Sequence, residues 1–265
     1  MNLKKIQLYL GISIVIFLFA IAIFGPFVAP YDPIAISNAT FSPPSASHIF
    51  GTDALGRDIF SRVLYGARIS LLVSLLAVFI GVAIGTFLGL VAGFFGGKID
   101  KLIVLFMDAM YAFPGLLLAI TFTAFLGQGI GNVALAIAIA FVPTYFRLVR
   151  NQVLSIKREP FVEAAEVFKV PLWKTVFVYV LLPVVPTLAG ILALSIGDAI
   201  LTEAGLSYLG LGVPPPTPDW GADLSTGQQY ILQDYWWCFI FPGIAIFLAV
   251  LGFALIGDYL SEEKL

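Results

Sequence analysis

Residues 71–95 read LLVSLLAVFIGVAIGTFLGLVAGFF, with no charged side chain anywhere in the stretch. A membrane-spanning helix needs about 20 consecutive, mostly apolar residues, so this segment is long enough to cross a bilayer. Inside it Gly81, Gly85, Gly89 and Gly93 recur at every fourth position, and Gly97 continues the spacing. Residues four apart share one face of a helix. That face is nearly bare backbone, and a second helix can approach it closely, gaining dispersion that lipid tails do not match. The stripe therefore reads as a helix-packing surface rather than a substrate contact.

Five further stretches are apolar enough to span: Ile6–Val28, Leu102–Leu126, Asn132–Val149, Thr175–Ile200 and Tyr235–Ile256. Hydrophobic residues make up 60% of the chain and charged residues 11%, against about a quarter charged in soluble domains. The expected fold class is all-α, a polytopic membrane protein with six transmembrane helices. The first span follows Lys4 and Lys5 as a signal peptide would. However, its apolar core exceeds the roughly 7–15 residues of a signal h-region and no A-x-A site follows, so it is expected to remain as a helix.

Cations set the orientation. With the N-terminus inside, Lys4, Lys5, Lys98, Lys101, Arg147, Arg150, Lys157, Arg158, Lys169, Lys174 and Lys264 are internal; only Arg57, Arg62 and Arg68 are external. Both termini are then cytoplasmic.

Several chemistries are excluded. The net charge of −2 and the absence of a basic face argue against a nucleic-acid partner. A lone Cys238 permits no internal disulfide, and a lone His48 removes Ser-His-Asp and Cys-His catalytic sets and any histidine-rich metal site. Residues 92–99 imitate a phosphate-binding loop but put Ala92 where the first glycine belongs and Ile99 where the hydroxyl belongs. No catalytic residue, metal site or nucleotide site is expected in this chain.

Outside the spans, Ile59, Phe60, Val63, Leu64 and Ala67 share one helical face, opposite Asp58, Ser61, Arg62 and Arg68. That pattern suits a short helix lying in the outer interface, or one packed on the bundle. Pro114, Pro143, Pro183 and Pro186 lie in or beside spans and are expected to shape them. Asp108, Asp198 and Glu203 are acids in or near spans, each close enough to a helix end to reach interfacial water. Intramembrane carboxylates invite a pathway role, and hydrogen-bonded packing is the alternative.

Between the fourth and fifth spans, the internal stretch of residues 151–174 contains Arg158-Glu159-Pro160-Phe161-Val162-Glu163-Ala164-Ala165. Pro160 suits a helix start, with Glu159 and Glu163 near its positive end. Phe161, Ala164, Ala165 and Phe168 form a short apolar stripe. Such a helix can lie on the inner membrane surface or seat in a groove of a soluble partner.

Glu163-Ala164-Ala165 followed by Leu182-Pro183 resembles the EAA loop of binding-protein-dependent ABC permeases. The likeness extends through Phe50-Gly51-Thr52-Asp53, Gly56-Arg57-Asp58, Ala112-Phe113-Pro114, Glu203-Ala204-Gly205-Leu206-Ser207 and Pro218-Asp219-Trp220-Gly221 to Phe241-Pro242-Gly243. It covers nearly the whole chain and resembles the "C"-type permease of dipeptide, oligopeptide and nickel importers. Two departures stand out. Lys169 occupies a position that is usually glycine, and Pro183 lies one residue farther from Glu163 than usual.

The resemblance implies a type I ABC importer permease fold in the plasma membrane, with an N-terminal helix and external segment over 1–70 and the permease unit over 71–265. It implies a second homologous permease, two cytoplasmic ABC ATPases that bind ATP and magnesium, and an external substrate-binding protein docking on the outer 206–234 region. Glu163, Ala164, Ala165 and Phe168 are the expected ATPase-coupling contact, and Ala165→Trp is expected to uncouple hydrolysis from uptake. The cargo is expected to be a di- or oligopeptide, with oligosaccharide or a nickel complex as alternatives. An ion-coupled secondary transporter is the rival from another class; neutralising Asp108, Asp198 or Glu203 would stop it and spare an ATP-driven importer.

Overall fold

The computed structural model describes residues 3–262, and its regular elements are all helical. Lys264, counted among the internal cations, lies outside the described residues. Five helical runs are long and apolar enough to cross a bilayer unbroken. They are α1 (Leu3–Val28), α2 (Ile59–Phe95), α5 (Ile130–Ile156), the run from α7 (Leu172–Lys174) through a π-helical stretch (Thr175–Leu181) into α8 (Leu182–Tyr208), and α10 (Trp237–Glu262).

The expected third span is not one straight helix. α3 (Gly97–Tyr111) and α4 (Gly115–Leu126) meet at 93°, and only together do they make a sixth crossing. Pro114 explains the break: it has no N–H to continue the ladder and disfavours helical backbone at Phe113.

Of the two readings of residues 58–68, a helix in the interface or one packed on the bundle, the packed one holds, though not as a separate helix. These residues are the first turns of α2, which runs unbroken for 37 residues. At 1.5 Å per residue that is about 55 Å, against a hydrocarbon core of about 30 Å, so one end of α2 projects well beyond the bilayer. Its polar face is not presented to solvent. Asp58, Ser61 and Arg62 are buried with Ile59, Leu64 and Ala67, whereas Arg68 is exposed. Irregular chain from residues 29–58 and the segment around α9 (Trp220–Gln228) fold over this projecting end.

α2 and α5 form the tightest pair in the bundle. A methyl carbon placed on Gly85 would lie 2.6 Å from Tyr145 Cβ, and one on Gly89 would lie 2.8 Å from the Phe146 carbonyl and 2.9 Å from Val149 Cβ. Gly81 faces Ala138 and Tyr145, and Gly93 faces Val153 and Arg150. The stripe stops there. Gly97 has no atom within 4 Å of such a carbon and instead turns the chain from α2 to α3 at φ 61°.

The π-helical stretch lies just ahead of Pro183 and Pro186. A turn closed by i→i+5 bonds takes up one residue more than an α turn. It lies within the Glu163–Pro183 interval, the one in which the resemblance expects one residue fewer. α1 packs on α10 through Gly11 and Gly252, and with α2 and α8 they enclose Leu18, Leu71, Ile200, Ala249 and Trp220.

Candidate functional site

The segment after α5 is held by its own short helix, α6 (Pro160–Val167). Val162 and Ala165, one turn apart, face inward at 0% and 5% exposure. Val162 packs in a cluster with Val153, Val180 and Val184, which ties α6 to the adjoining end of α5 and to the helical run that leads into α8. The opposite face is open: Glu163 and Ala164 are exposed, Val167 is 78% exposed and Phe168 82%. Of the four expected contact residues, three are therefore outward. Ala165 is turned to the bundle, because the inward pair is Val162 and Ala165 rather than the broader stripe expected from Phe161 to Phe168.

α6 ends in a tight reversal. The Phe168 amide donates to the Ala164 carbonyl at 2.9 Å and the Val170 amide to the Ala165 carbonyl at 2.9 Å. Between them Lys169 takes φ 52°, a left-handed conformation. This is the Schellman arrangement, whose usual residue at that place is glycine. Phe161, Leu172, Trp173 and Phe177 are also exposed around it, so the apolar surface extends beyond α6 itself.

The end of the bundle that carries α6 also carries charge. Arg150 of α5 donates to both Asp100 oxygens, at 2.5 and 2.7 Å, and Lys157 donates to the Phe94 carbonyl at 2.7 Å. These contacts join α3 to α5 and brace the α2–α3 turn.

The three acids near the spans do not converge. Asp108 on α3 accepts from Arg147 on α5 at 2.7 Å, and the Arg147 guanidinium lies 3.8 Å over the Tyr111 ring. Both side chains stay open, at 53% and 41% exposure. Asp198 is exposed on α8. Glu203 does not reach interfacial water as expected; it is 0% exposed, beneath α9. Met110, Tyr111, Phe113, Pro114 and Gly115 at the α3–α4 break line a partly open recess of about 360 Å³ with Ala140, Phe141 and Thr144 of α5.

At the opposite end the cover formed by residues 29–58 and α9 is locked by polar contacts that the sequence did not reveal. Arg62 donates to Asp223 on α9, at 3.0 Å from Nε and 2.5 Å from Nη2, and to the Pro33 carbonyl at 2.9 Å. Burial pushes the Asp223 carboxyl up while Arg62 pulls it back. Trp220 donates to the Val63 carbonyl at 2.9 Å and sits against Gly66. Ser207 Oγ lies 3.0 Å from Glu203 Oε1 and 3.0 Å from Asp219 Oδ2. The available signal was the Asp219-Trp220-Gly221 turn and the small Gly66 that receives it.

Comparison with known proteins places this architecture among transport proteins. The family described as binding-protein-dependent transport system inner membrane component matches residues 85–263. The probable D,D-dipeptide transport system permease protein of Escherichia coli K12 is 42% identical over 250 residues, covering 94% of this chain and 84% of that protein. The dipeptide transport system permease protein of Alkalihalophilus pseudofirmus is 43% identical over 264 residues, 98% of this chain and 86% of that protein. The glutathione transport system permease protein of Escherichia coli O6:K15:H31 is 44% identical over 252 residues, 94% of this chain and 82% of that protein.

Proposed function

The chain belongs to the family of binding-protein-dependent transport system inner membrane components, and from that premise we propose that it is the permease subunit of an ATP-driven peptide importer. The carrying observation is α6. A short helix with Val162 and Ala165 fixed in the bundle and with Glu163, Ala164 and Phe168 free is built to move as one body with the helices behind it. A soluble partner that grips the free face can thereby tilt α5 and α8.

In this reading the free face seats in a groove of a cytoplasmic ABC ATPase. Ala164 permits close approach, Phe168 fills a pocket and Glu163 meets a cation. ATP and magnesium belong to that partner. Two ATPases, a second homologous permease and an external binding protein complete the transporter, and the binding protein docks on the outer 206–234 segment. Nucleotide on one side and loaded binding protein on the other bias one two-state bundle. The termini and α6 lie in the cytoplasm, as the distribution of cations favours. Small peptides are the cargo class, supported by relatives named for dipeptides and for glutathione, itself a tripeptide. Glu203, sealed under α9, takes no part in the pathway surface; Asp108 and Asp198 are its candidate members.

The test is gentle extraction of the tagged chain and identification of what copurifies. A second permease and ATPase subunits support the reading; recovery of the chain alone, under conditions that preserve known complexes, overturns it. In the assembled complex Phe168→Ala should leave assembly intact and lower the uptake obtained per ATP hydrolysed by about tenfold, the loss expected when one well-buried aromatic anchor worth about 1.4 kcal/mol is removed.

A further inference from the structure

The last turn of α8 and the cap of α9 are joined by three polar side chains in a row. Ser207 Oγ contacts a Glu203 oxygen and an Asp219 oxygen, each at 3.0 Å. A serine hydroxyl has one hydrogen to donate. If both carboxylates were ionised, one of the two contacts would bring oxygen lone pairs together with no hydrogen between them. We propose that Glu203 and Asp219 form a proton-binding site that holds one proton, carried on Glu203, and that this proton fastens the outer helix α9 to the end of α8.

The surroundings decide which carboxyl carries it. Asp219 is the N-cap of α9, and its Oδ1 accepts from the Ala222 amide at 2.9 Å. A helix N-terminus favours the anion. Glu203 has weaker support: it is 0% exposed, its Oε2 makes no well-formed hydrogen bond, and besides Ser207 only the neutral Ser70 hydroxyl of α2 is near enough to assist it. An ionised carboxylate in that condition is strongly unfavourable, whereas a neutral acid can donate. The relay then runs from Glu203 O–H to Ser207 Oγ, and from Ser207 O–H to Asp219 Oδ2.

No cation is free to replace the proton among the described charged neighbours. On α2, Arg62 is committed to Asp223 of α9 and to the Pro33 carbonyl. In the outer segment, Arg57 is bound to Asp53. Ser70 of α2 offers only a buried, unpartnered hydroxyl. Tyr145 of α5 and Cys238 of α10 are neutral groups, and Asp198, five residues before Glu203 on α8, is exposed on another face.

Release of the proton would set two carboxylates across one hydroxyl where there is no room to part, since Gly221 already lies against the Ala204 backbone. α9 would lift, and with it Trp220 from Gly66. The sign follows from proton count. The docked state holds a proton that a glutamate in water loses above about pH 4.3. Docking therefore weakens as pH rises, by about tenfold per pH unit, until the site itself titrates.

The test uses the full chain, with the subunits that copurify, in lipid nanodiscs. At neutral pH the infrared spectrum should contain a protonated-carboxyl carbonyl band that shifts in heavy water, vanishes in Glu203→Gln and remains in Asp198→Asn. The melting temperature of the wild type should fall between neutral and alkaline pH. That of Glu203→Gln, whose amide donates to Ser207 in place of the acid, should stay level over the same interval. No band in the wild type, a band retained in Glu203→Gln, or the same alkaline fall in both proteins would overturn the assignment. Should Glu203→Gln fail to assemble, the wild type decides alone: a melting temperature that falls with pH while the band is present and levels off once the band has faded supports the site, and a melting temperature that stays level while the band is present removes it.

Discussion

Lys169 holds a backbone conformation that its own side chain opposes. A left-handed φ costs a residue with a Cβ about 1–2 kcal/mol, and Lys169 accepts it at φ 52° to close the end of α6. Lys169→Gly should relieve part of that strain, by about 1 kcal/mol. The reversal should open less often, and exchange of the Val170 amide, which bonds to Ala165, should slow about fivefold in hydrogen-exchange measurements. Unchanged exchange would mean that the turn is held by its surroundings instead. Ala165 needs the opposite treatment. Ala165→Trp would force a large ring between α6 and the bundle, at about 1–3 kcal/mol of overpacking, so it should lower the melting temperature of the chain. Any uptake it loses would report a displaced helix rather than a damaged partner contact; Phe168→Ala does not have that defect. The sequence made the segment recognisable through its motif and correctly marked Lys169 as out of place. It could not say which way Ala165 turns, because an eight-residue helix with apolar residues on both sides has no decisive period.

At the scale of elements, the α2–α5 contact is where close approach has structural consequences. Gly89→Ala would place a methyl carbon 2.8 Å from a carbonyl oxygen of Phe146, so the helices must separate by a few tenths of an ångström or more. The expected loss is about 1–3 kcal/mol, visible as a lower melting temperature in mild detergent. Gly89→Leu should prevent the pair from closing and reduce recovery of assembled protein. The four-residue spacing made this legible, since lipid-facing helices have no need for a bare stripe. The broken α3–α4 pair was less legible. Apolar character continues through Ala112 and Phe113, so a hydropathy reading joins the two halves, and only Pro114 hints at the bend. The projecting end of α2 was misleading for the opposite reason. Its alternating polar and apolar faces suit an interfacial helix, but the polar face found partners far along the chain, with Arg62 meeting Asp223 161 residues away. Such pairing leaves no local periodic trace. Removing one member of that buried pair, by Arg62→Met, should destabilise the outer cover by about 3–5 kcal/mol because Asp223 is left without compensation. Limited proteolysis of the outer segment should accelerate accordingly.

Across the whole molecule, the exposed faces differ in whether they can tolerate lipid. The face of α1 that carries Ile16, Phe17 and Phe24 is exposed and apolar but for Ser13, whose hydroxyl is bonded to the Tyr9 carbonyl at 2.7 Å, as lipid requires. The α3–α5 side that carries Asp108 and Arg147 and the face of α8 that carries Asp198 are different, for these charged groups are open on them. Charged groups within spans face water or protein, because exposure to hydrocarbon is costly. Those faces therefore adjoin water or protein rather than lipid. Cysteine labelling separates the two environments, since maleimides react with thiolates and thiols ionise only where water reaches them. The native Cys238 is buried and should give little background. In the assembled protein Asp198→Cys should react with a water-soluble maleimide, and Ile16→Cys on the apolar face should not. Protection of Asp198→Cys by bound peptide-loaded binding protein would place it along the route of transport. If Asp198→Cys and Ile16→Cys are equally inert, the α8 face is sealed by protein contact, and the pathway must lie instead along the α3–α5 side beside Asp108 and Arg147.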